Sequence, residues 1–362
     1  MLIKLADYKV EIDSLDNPGD LTFLDYTGRQ SYYKQGYYGQ NVIVAVVDTG
    51  IAWDHKELKD AYIDGKSFVA GNDSYYEDHG HSSHVSGTIA GKNVGIAPQA
   101  KILAVKTLDD KGTGNIERTI EGLKYILNWK GKKGEKVDIV NMSLGASSEL
   151  EKYPDLLNKY HQAIKDLVTN NIIVIVAAGN TGKKEHQYPA FFDEVVTVGA
   201  CDIKNRIANF STRSEAVDVC QNGVDIVSVN YKGGYMSMSG TSMATPMVSG
   251  IAALIVCKYK SLFKKLMPEL ALYEMLKMNT IDIGIKGVDD ESGAGFCTLK
   301  SFSNILMTIG DTKMYVDGDV ITLDVPPQVI NNRTMIPVRA PFEAAGGKVT
   351  WDEQNSIVKI IL

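Results

Sequence analysis

The sequence predicts an α/β protein: a parallel sheet covered by helices on both faces, followed by a small C-terminal α+β module. Three observations carry this. Continuous apolar, β-branched runs recur at Val42–Val47, Ile102–Thr107, Val137–Ser143, Ile172–Ala178, Val195–Ala200 and Val224–Val229. Strands buried on both faces read as unbroken apolar runs, not as alternating ones. Amphipathic helical patterns lie between several of them, at Ile116–Trp129, Leu156–Val168 and Met243–Tyr259, which is the order of βα units. Polar residues, Asp48, Ser143 and Asn180, stand at or just beyond the carboxyl ends of three runs, where open parallel sheets bind their ligands.

Taken in order, Met1 to Asp20 is a mixed polar extension, closed by the breaker Asn17-Pro18-Gly19. A helix is expected over Tyr26–Gln35, ending at Gly36. The sheet pattern then runs from Val42, giving a main domain over residues 21–307. Thr308 to Asp311 reads as a linker, and residues 312–362 change period. Tyr315–Ile321 reads as a hairpin around Asp317-Gly318, Val338–Ala345 as a short helix ended by Gly346-Gly347, and Val349–Leu362 as a second hairpin.

Composition narrows the function. The chain has 362 residues, 44% hydrophobic and 23% charged, ordinary values for a globular protein with a sizeable core. A net charge of −6 without a basic run excludes nucleic acid as the expected partner. No apolar stretch reads as a membrane span, and Met1–Val10 lacks a secretory apolar core. The four cysteines, Cys201, Cys220, Cys257 and Cys297, show no metal-type spacing and read as free thiols, a Cys201–Cys220 bridge being the alternative.

The chemistry centres on Met238-Ser239-Gly240-Thr241-Ser242-Met243-Ala244-Thr245-Pro246, a turn that feeds a long apolar helix. A serine in the first turn of a helix is ordinarily a cap. Here it also sits where backbone N–H groups and the positive helix end gather, a setting that stabilises an oxyanion. Serine is a weak nucleophile and needs a base and an orienting acid. The cluster Asp78-His79-Gly80-His81-Ser82-Ser83-His84 supplies histidines at another helix start, and Asp48 an acid. A metal site is the competing reading of the histidines, but no third ligand group or zinc-type spacing follows. The order Asp, His, Ser differs from the Ser, acid, His order of α/β-hydrolases.

Val46-Val47-Asp48-Thr49-Gly50, Gly80-His81-Ser82-Ser83-His84-Val85-Ser86-Gly87 and Gly240-Thr241-Ser242-Met243-Ala244-Thr245-Pro246 resemble the three signature blocks of the subtilisin family of serine proteases. Weaker matches are Val105-Lys106-Thr107-Leu108, Gly112-Thr113-Gly114, Asn141-Met142-Ser143-Leu144-Gly145, Ala177-Ala178-Gly179-Asn180 and Tyr188-Pro189-Ala190. The resemblance spans residues 21–302. It implies a serine endopeptidase in which Ser242 is the nucleophile, His81 the base, Asp48 its orienting acid and Asn180 an oxyanion donor. It further implies that Gly112, Thr113 and Gly114, with Ser143, Leu144 and Gly145, flank a polypeptide substrate, and that Gln187 floors the specificity pocket. A catalytically silent fold used for binding is the alternative from another class, and an esterase is a third; the intact residue set argues against the first of these.

Departures from the family pattern qualify the picture. Ser82 replaces a glycine, so a looser turn is expected after His81. Met247 stands where histidine is common. The stretch Gly91–Gly95 is too short for the usual calcium loop, and only Glu57 aligns with a calcium ligand. No cofactor is expected to be required, a structural calcium being the alternative, and no metal ligand is assigned. Intracellular relatives lay a short extension across the cleft, and Leu2-Ile3-Lys4-Leu5 loosely resembles its start without the characteristic proline. The expectation is a frayed terminus; an inhibitory strand added beside Gly112–Gly114 is the alternative. A cytoplasmic location is expected, with a processed secreted or cell-surface form as the alternative.

In the C-terminal module, Ile330-Asn331-Asn332-Arg333-Thr334-Met335-Ile336-Pro337-Val338-Arg339, Phe342-Glu343-Ala344-Ala345-Gly346-Gly347 and Val349-Thr350-Trp351-Asp352 resemble the copper amine oxidase N-terminal-like domain. No histidine follows His186 and no cysteine follows Cys297, so the preferred copper ligands are lacking there. Docking or dimerisation is the expected role, beside a passive folded tail.

Overall fold

The computed structural model describes all residues except 6–7, 300–304, 317–318, 331–332, 345–347, 353–356 and 362. In chain order the first unit, Met1–Lys300, contains β1 (Leu2–Lys4), β2 (Lys9–Leu15), α1 (Arg29–Tyr33), β3 (Ile43–Asp48), β4 (Tyr62–Ser67), α2 (His81–Ala90), β5 (Lys101–Lys106), β6 (Thr113–Asn115), α3 (Ile116–Asn128) and β7 (Ile139–Met142). There follow β8 (Ala146–Ser147), α4 (Pro154–Thr169), β9 (Ile173–Ala177), β10 (Gln187–Tyr188), β11 (Val196–Cys201), β12 (Val219–Asn222), β13 (Ile226–Val229), β14 (Tyr235–Ser239), α5 (Thr241–Phe263), α6 (Glu269–Met278), β15 (Thr280–Ile281) and β16 (Phe296–Cys297).

The expected parallel sheet forms from the apolar runs. It has nine strands in the order β15-β16-β12-β11-β9-β7-β3-β5-β4, with only β15 antiparallel to its neighbour. Alternation along β3 explains the two layers. Val42, Val44 and Val46 pack toward α2 and α5, while Ile43, Ala45 and Val47 pack toward α3 and α4. Helix α3 presents Ile116, Ile120, Leu123 and Ile126 to the second layer, and its Asn115 cap accepts from the Arg118 N–H at 2.8 Å. Helix α4 starts on Pro154, where the missing N–H costs nothing.

Some expectations change. The run Val224–Val229 does not join the parallel sheet; β13 turns back through Gly233 and Gly234, both with positive φ, and pairs antiparallel with β14. The parallel position is taken by β12, a short run too polar to stand out. The expected helix over Tyr26–Gln35 is cut at Gly28, which takes φ 72° and lets the Leu299 backbone approach within 2.0 Å of where a Cβ would stand. Ser82 does not loosen the turn at His81, because Gly80 takes the left-handed conformation and Ser82 lies inside α2. Helix α5 is by length and composition long enough to cross a bilayer, contrary to expectation, but its apolar window is wholly buried as a core helix. The four cysteines are free and buried.

The N-terminal segment is not frayed. Strand β1 pairs antiparallel with β6, and β2 pairs antiparallel with β14.

The second unit is Ser301–Leu362. Ile305–Met307 pairs with Lys313–Val316, so residues 308–311, expected as a linker, form the turn of a hairpin inside this unit. Lys313–Val316 also pairs with Asp319–Thr322, and Lys348–Asp352 with Ile357–Ile361, the two expected hairpins. Their turns, Asp317-Gly318 and residues 353–356, lie outside the described residues, as does Gly346-Gly347. The short helix is Arg339–Ala344, and a further hairpin, Gln328–Ile330 with Arg333–Met335, was not legible in the sequence.

Candidate active site

Asp48 ends β3 and His81 opens α2, and both are fully buried. The His81 Nδ1 lies 3.0 and 2.9 Å from the two Asp48 carboxylate oxygens. Asp48 also accepts from the Thr49 N–H at 2.8 Å. A buried carboxylate so placed fixes which ring nitrogen of the histidine carries hydrogen. The start of α2 is held by Glu77, since Gly80 has no side chain to cap it: Glu77 Oε2 accepts from the Ser83 N–H at 2.8 Å. Lys106, buried beside Asp48 on β5, donates to the Thr49 carbonyl and to Asp78 at 2.6 Å, tying the loop that carries His81 to the sheet edge.

The histidine cluster does not converge on a metal. His84 is turned away, its Nε2 donating to the Ile226 carbonyl at 2.9 Å, and burial pulls its pKa down to about 3. His79 flanks the cleft, and burial followed by the nearby His81 lowers its pKa. Among the described residues no group of three or more His, Cys, Asp or Glu side chains is arranged to hold a metal ion. Glu57, the residue aligned with a calcium ligand, accepts from the Asn93 N–H at 2.7 Å, the Asn93 side chain at 2.8 Å and the Tyr235 hydroxyl at 2.7 Å. Burial opposes its ionisation, but these donors outweigh it and hold the pKa below the ordinary value.

Ser242 stands in the first turn of α5. Its hydroxyl donates to the Ser143 carbonyl at 3.2 Å, and among the described residues His81 Nε2 has no hydrogen-bond partner. Asn180, in the loop after β9, accepts through Oδ1 from the Thr241 N–H and hydroxyl, both at 2.8 Å. That commits its oxygen, so its amide nitrogen faces the other way, and Nδ2 lies 3.1 Å from where a Gly240 Cβ would stand. The Ser242 N–H, in the first helical turn, has no intrahelical carbonyl to reach.

Between Gly112–Gly114 and Ser143–Gly145 lies a groove, and residues of the same chain occupy it. Ile3 pairs with Gly114 and Lys4 with Thr113. On the other side Lys4 and Gly145 exchange both backbone hydrogen bonds, at 3.1 and 3.0 Å. Leu5 donates its N–H to the Gly112 carbonyl at 3.0 Å. Ile3 is fully buried among core residues. Beyond the groove, the Tyr8 ring sits 5.1 Å from the His81 ring, and burial, then the Asp48 charge, raises its pKa to about 12. Leu144 is buried, and Gln187 lies on the cavity beside Asn180. Tyr8, Glu77 and Lys106 escaped the sequence reading, because each matters only through partners brought in by the fold.

This carboxyl edge of the sheet gathers an acid, a histidine and a helix-borne serine from distant parts of an α/β chain. Residues 39–295 match the subtilase family and residues 289–360 the copper amine oxidase N-terminal domain. The chain belongs to the subtilase family and is a subtilisin-like serine endopeptidase. It is 37% identical over 260 residues to an intracellular serine protease of Paenibacillus polymyxa, covering 68% of this chain and 76% of that protein. It is 35% identical over 268 residues to the major intracellular serine protease of Bacillus subtilis, covering 70% and 80%. The minor extracellular protease Epr of Bacillus subtilis is 33% identical over 304 residues, covering 82% of this chain and 44% of that protein.

Proposed function

We propose that the chain hydrolyses peptide bonds through Ser242, His81 and Asp48, and that its N-terminal segment keeps it latent. Ser242 Oγ swings from the Ser143 carbonyl to His81 Nε2, gives up its proton there and attacks the scissile carbonyl. His81 then protonates the leaving amine; a water molecule, giving its proton to His81, next attacks the acyl group and frees Ser242, and Asp48 stabilises the imidazolium in both halves. The Asn180 side-chain amide and the Ser242 N–H receive the oxyanion. The observation that supports this most is the strand Leu2–Lys4, seated antiparallel to Thr113–Asn115 and bonded to Gly145. An extended peptide in that groove is what a peptidase must bind. The same seating supports latency, since Tyr8 covers His81.

No metal is required in this reading, because the Glu57 carboxylate is already engaged by Asn93 and Tyr235. The C-terminal module serves docking or dimerisation. A cytoplasmic site of action is the reading favoured by the intracellular relatives. The test is covalent labelling by a fluorophosphonate and digestion of an unstructured protein, with product masses read out. Wild-type protein should label and cut once its N-terminal segment is removed, and Ser242→Ala should do neither while keeping its fold. Single-site labelling of Ser242→Ala would reveal another nucleophile and end this reading.

A further inference from the structure

The cavity beside Asn180 has a volume of about 780 Å³ and is walled by Leu144–Ser147 on one side and by Ala177, Gly179 and Asn180 on the other. Two wall positions are glycines, and Gln187 crosses the gap between them. Its Cγ lies 3.1 Å from where a Gly179 Cβ would stand, and its Oε1 lies 3.7 Å from where a Gly145 Cβ would stand. Its Nε2 donates to Glu185 Oε1 at 2.7 Å. An ionised carboxylate only accepts hydrogen bonds, so the amide nitrogen must face Glu185 and the amide oxygen must face the gap. Glu185 and Glu149 line the same cavity. Among the described residues that line it outside the N-terminal segment, none is Lys, Arg or His. The docked segment itself contributes Lys4.

From this geometry we propose that the enzyme prefers lysine or arginine immediately before the bond it cuts. The proposal rests on the peptidase reading above. A long cationic side chain that reaches along this wall brings its donors to Gln187 Oε1 and its charge to Glu185. A large aromatic side chain offers Gln187 Oε1 no donor and Glu185 no opposite charge. A donor-ended neutral side chain, such as glutamine, satisfies Gln187 without the charge attraction and falls between the two.

The test uses the full chain and peptides that differ only at that residue: Lys, Arg, Gln, Phe and Glu. The expected kcat/KM for Lys and Arg exceeds that for Phe by about tenfold or more, with Glu poorest. Glu185→Gln should reduce the Lys-to-Phe ratio about tenfold, and Glu185→Lys should raise Glu above Lys. A merely structural Glu185 would change all rates together and leave the order intact, which would overturn the proposal. Phe cleaved ahead of Lys by the wild type overturns it while the peptidase reading stands. Cleavage of no peptide by either the full chain or the chain without Met1–Pro18 overturns both.

Discussion

The hydroxyl of Ser143 donates to the carbonyl of Ser242 at 3.1 Å, and Pro246 is the reason that carbonyl is available. Pro246 lies inside α5, four residues after Ser242, and has no N–H to close the helical bond. The helix tolerates it because Ser143 replaces the missing donor. Asn141 Nδ2 donates to Ser143 Oγ at 3.0 Å, and Ser249 donates to Asn141 Oδ1 at 2.8 Å. This buried chain of bonds ties the end of β7 to the turn that carries the nucleophile.

Ser143→Ala should therefore leave the Ser242 carbonyl buried without a donor. The expected loss is about 1–3 kcal/mol of stability, with a fall in kcat larger than any change in KM. Thermal melting and steady-state kinetics on one peptide check both. An unchanged kcat would show that the bond has no part in placing Ser242.

Removal of Met1–Pro18 should raise initial activity and abolish any lag, leaving the rate after full self-processing unchanged. Ile3→Asp should act in the same direction, since it places a charge where Ile3 is fully buried. Equal progress curves for wild type and truncated protein from the first minute would deny the segment an inhibitory role.

His84 predicts an acid limit to stability. Its folded pKa, about 3, lies below the unfolded histidine value of about 6.5, so the unfolded chain binds the extra proton between these limits. Stability from this group is complete above about pH 6.5 and is lost as pH falls toward 3, at up to about 1.4 kcal/mol per pH unit. The denaturant midpoint should drop between pH 7 and pH 5, while the His84 ring resonances stay unshifted. A His84 resonance that titrates within that range would contradict the assignment.

A chelator should change the melting temperature by less than about 1 °C, below the shift of about 1–2 °C that a loss of about 1 kcal/mol produces in a chain of this size. Glu57→Ala should lower it clearly, because the donors of Asn93 and Tyr235 lose their acceptor. A large chelator effect that Glu57→Ala abolishes would place a cation at this carboxylate.

The sheet was legible because its strands are buried on both faces, as the run Val42–Val47 illustrates. The candidate triad was legible because Asp48, His81 and Ser242 sit in local motifs. What escaped was long-range. The pairing of Leu2–Lys4 with Thr113–Asn115 was legible only as an alternative, through the likeness of Leu2-Ile3-Lys4-Leu5 to a family extension, because a three-residue strand has no period of its own. The role of Ser143 depends on a proline about a hundred residues away. The fate of Val224–Val229 turned on hairpin chemistry at Gly233-Gly234, which the apolar run alone conceals.

Strand β2 of the N-terminal segment also lies along β14, the strand that leads directly into Gly240 and Ser242. The occupant of the groove is thus tethered on both sides of the reactive serine. A tethered segment competes at an effective concentration on the order of millimolar, so a free peptide at micromolar levels is a poor rival. One cut in the tether converts that contest from intramolecular to bimolecular. The severed piece is then diluted into the surrounding volume, and the same contacts no longer hold it. On the proposed latency, activation is in this sense a change of concentration.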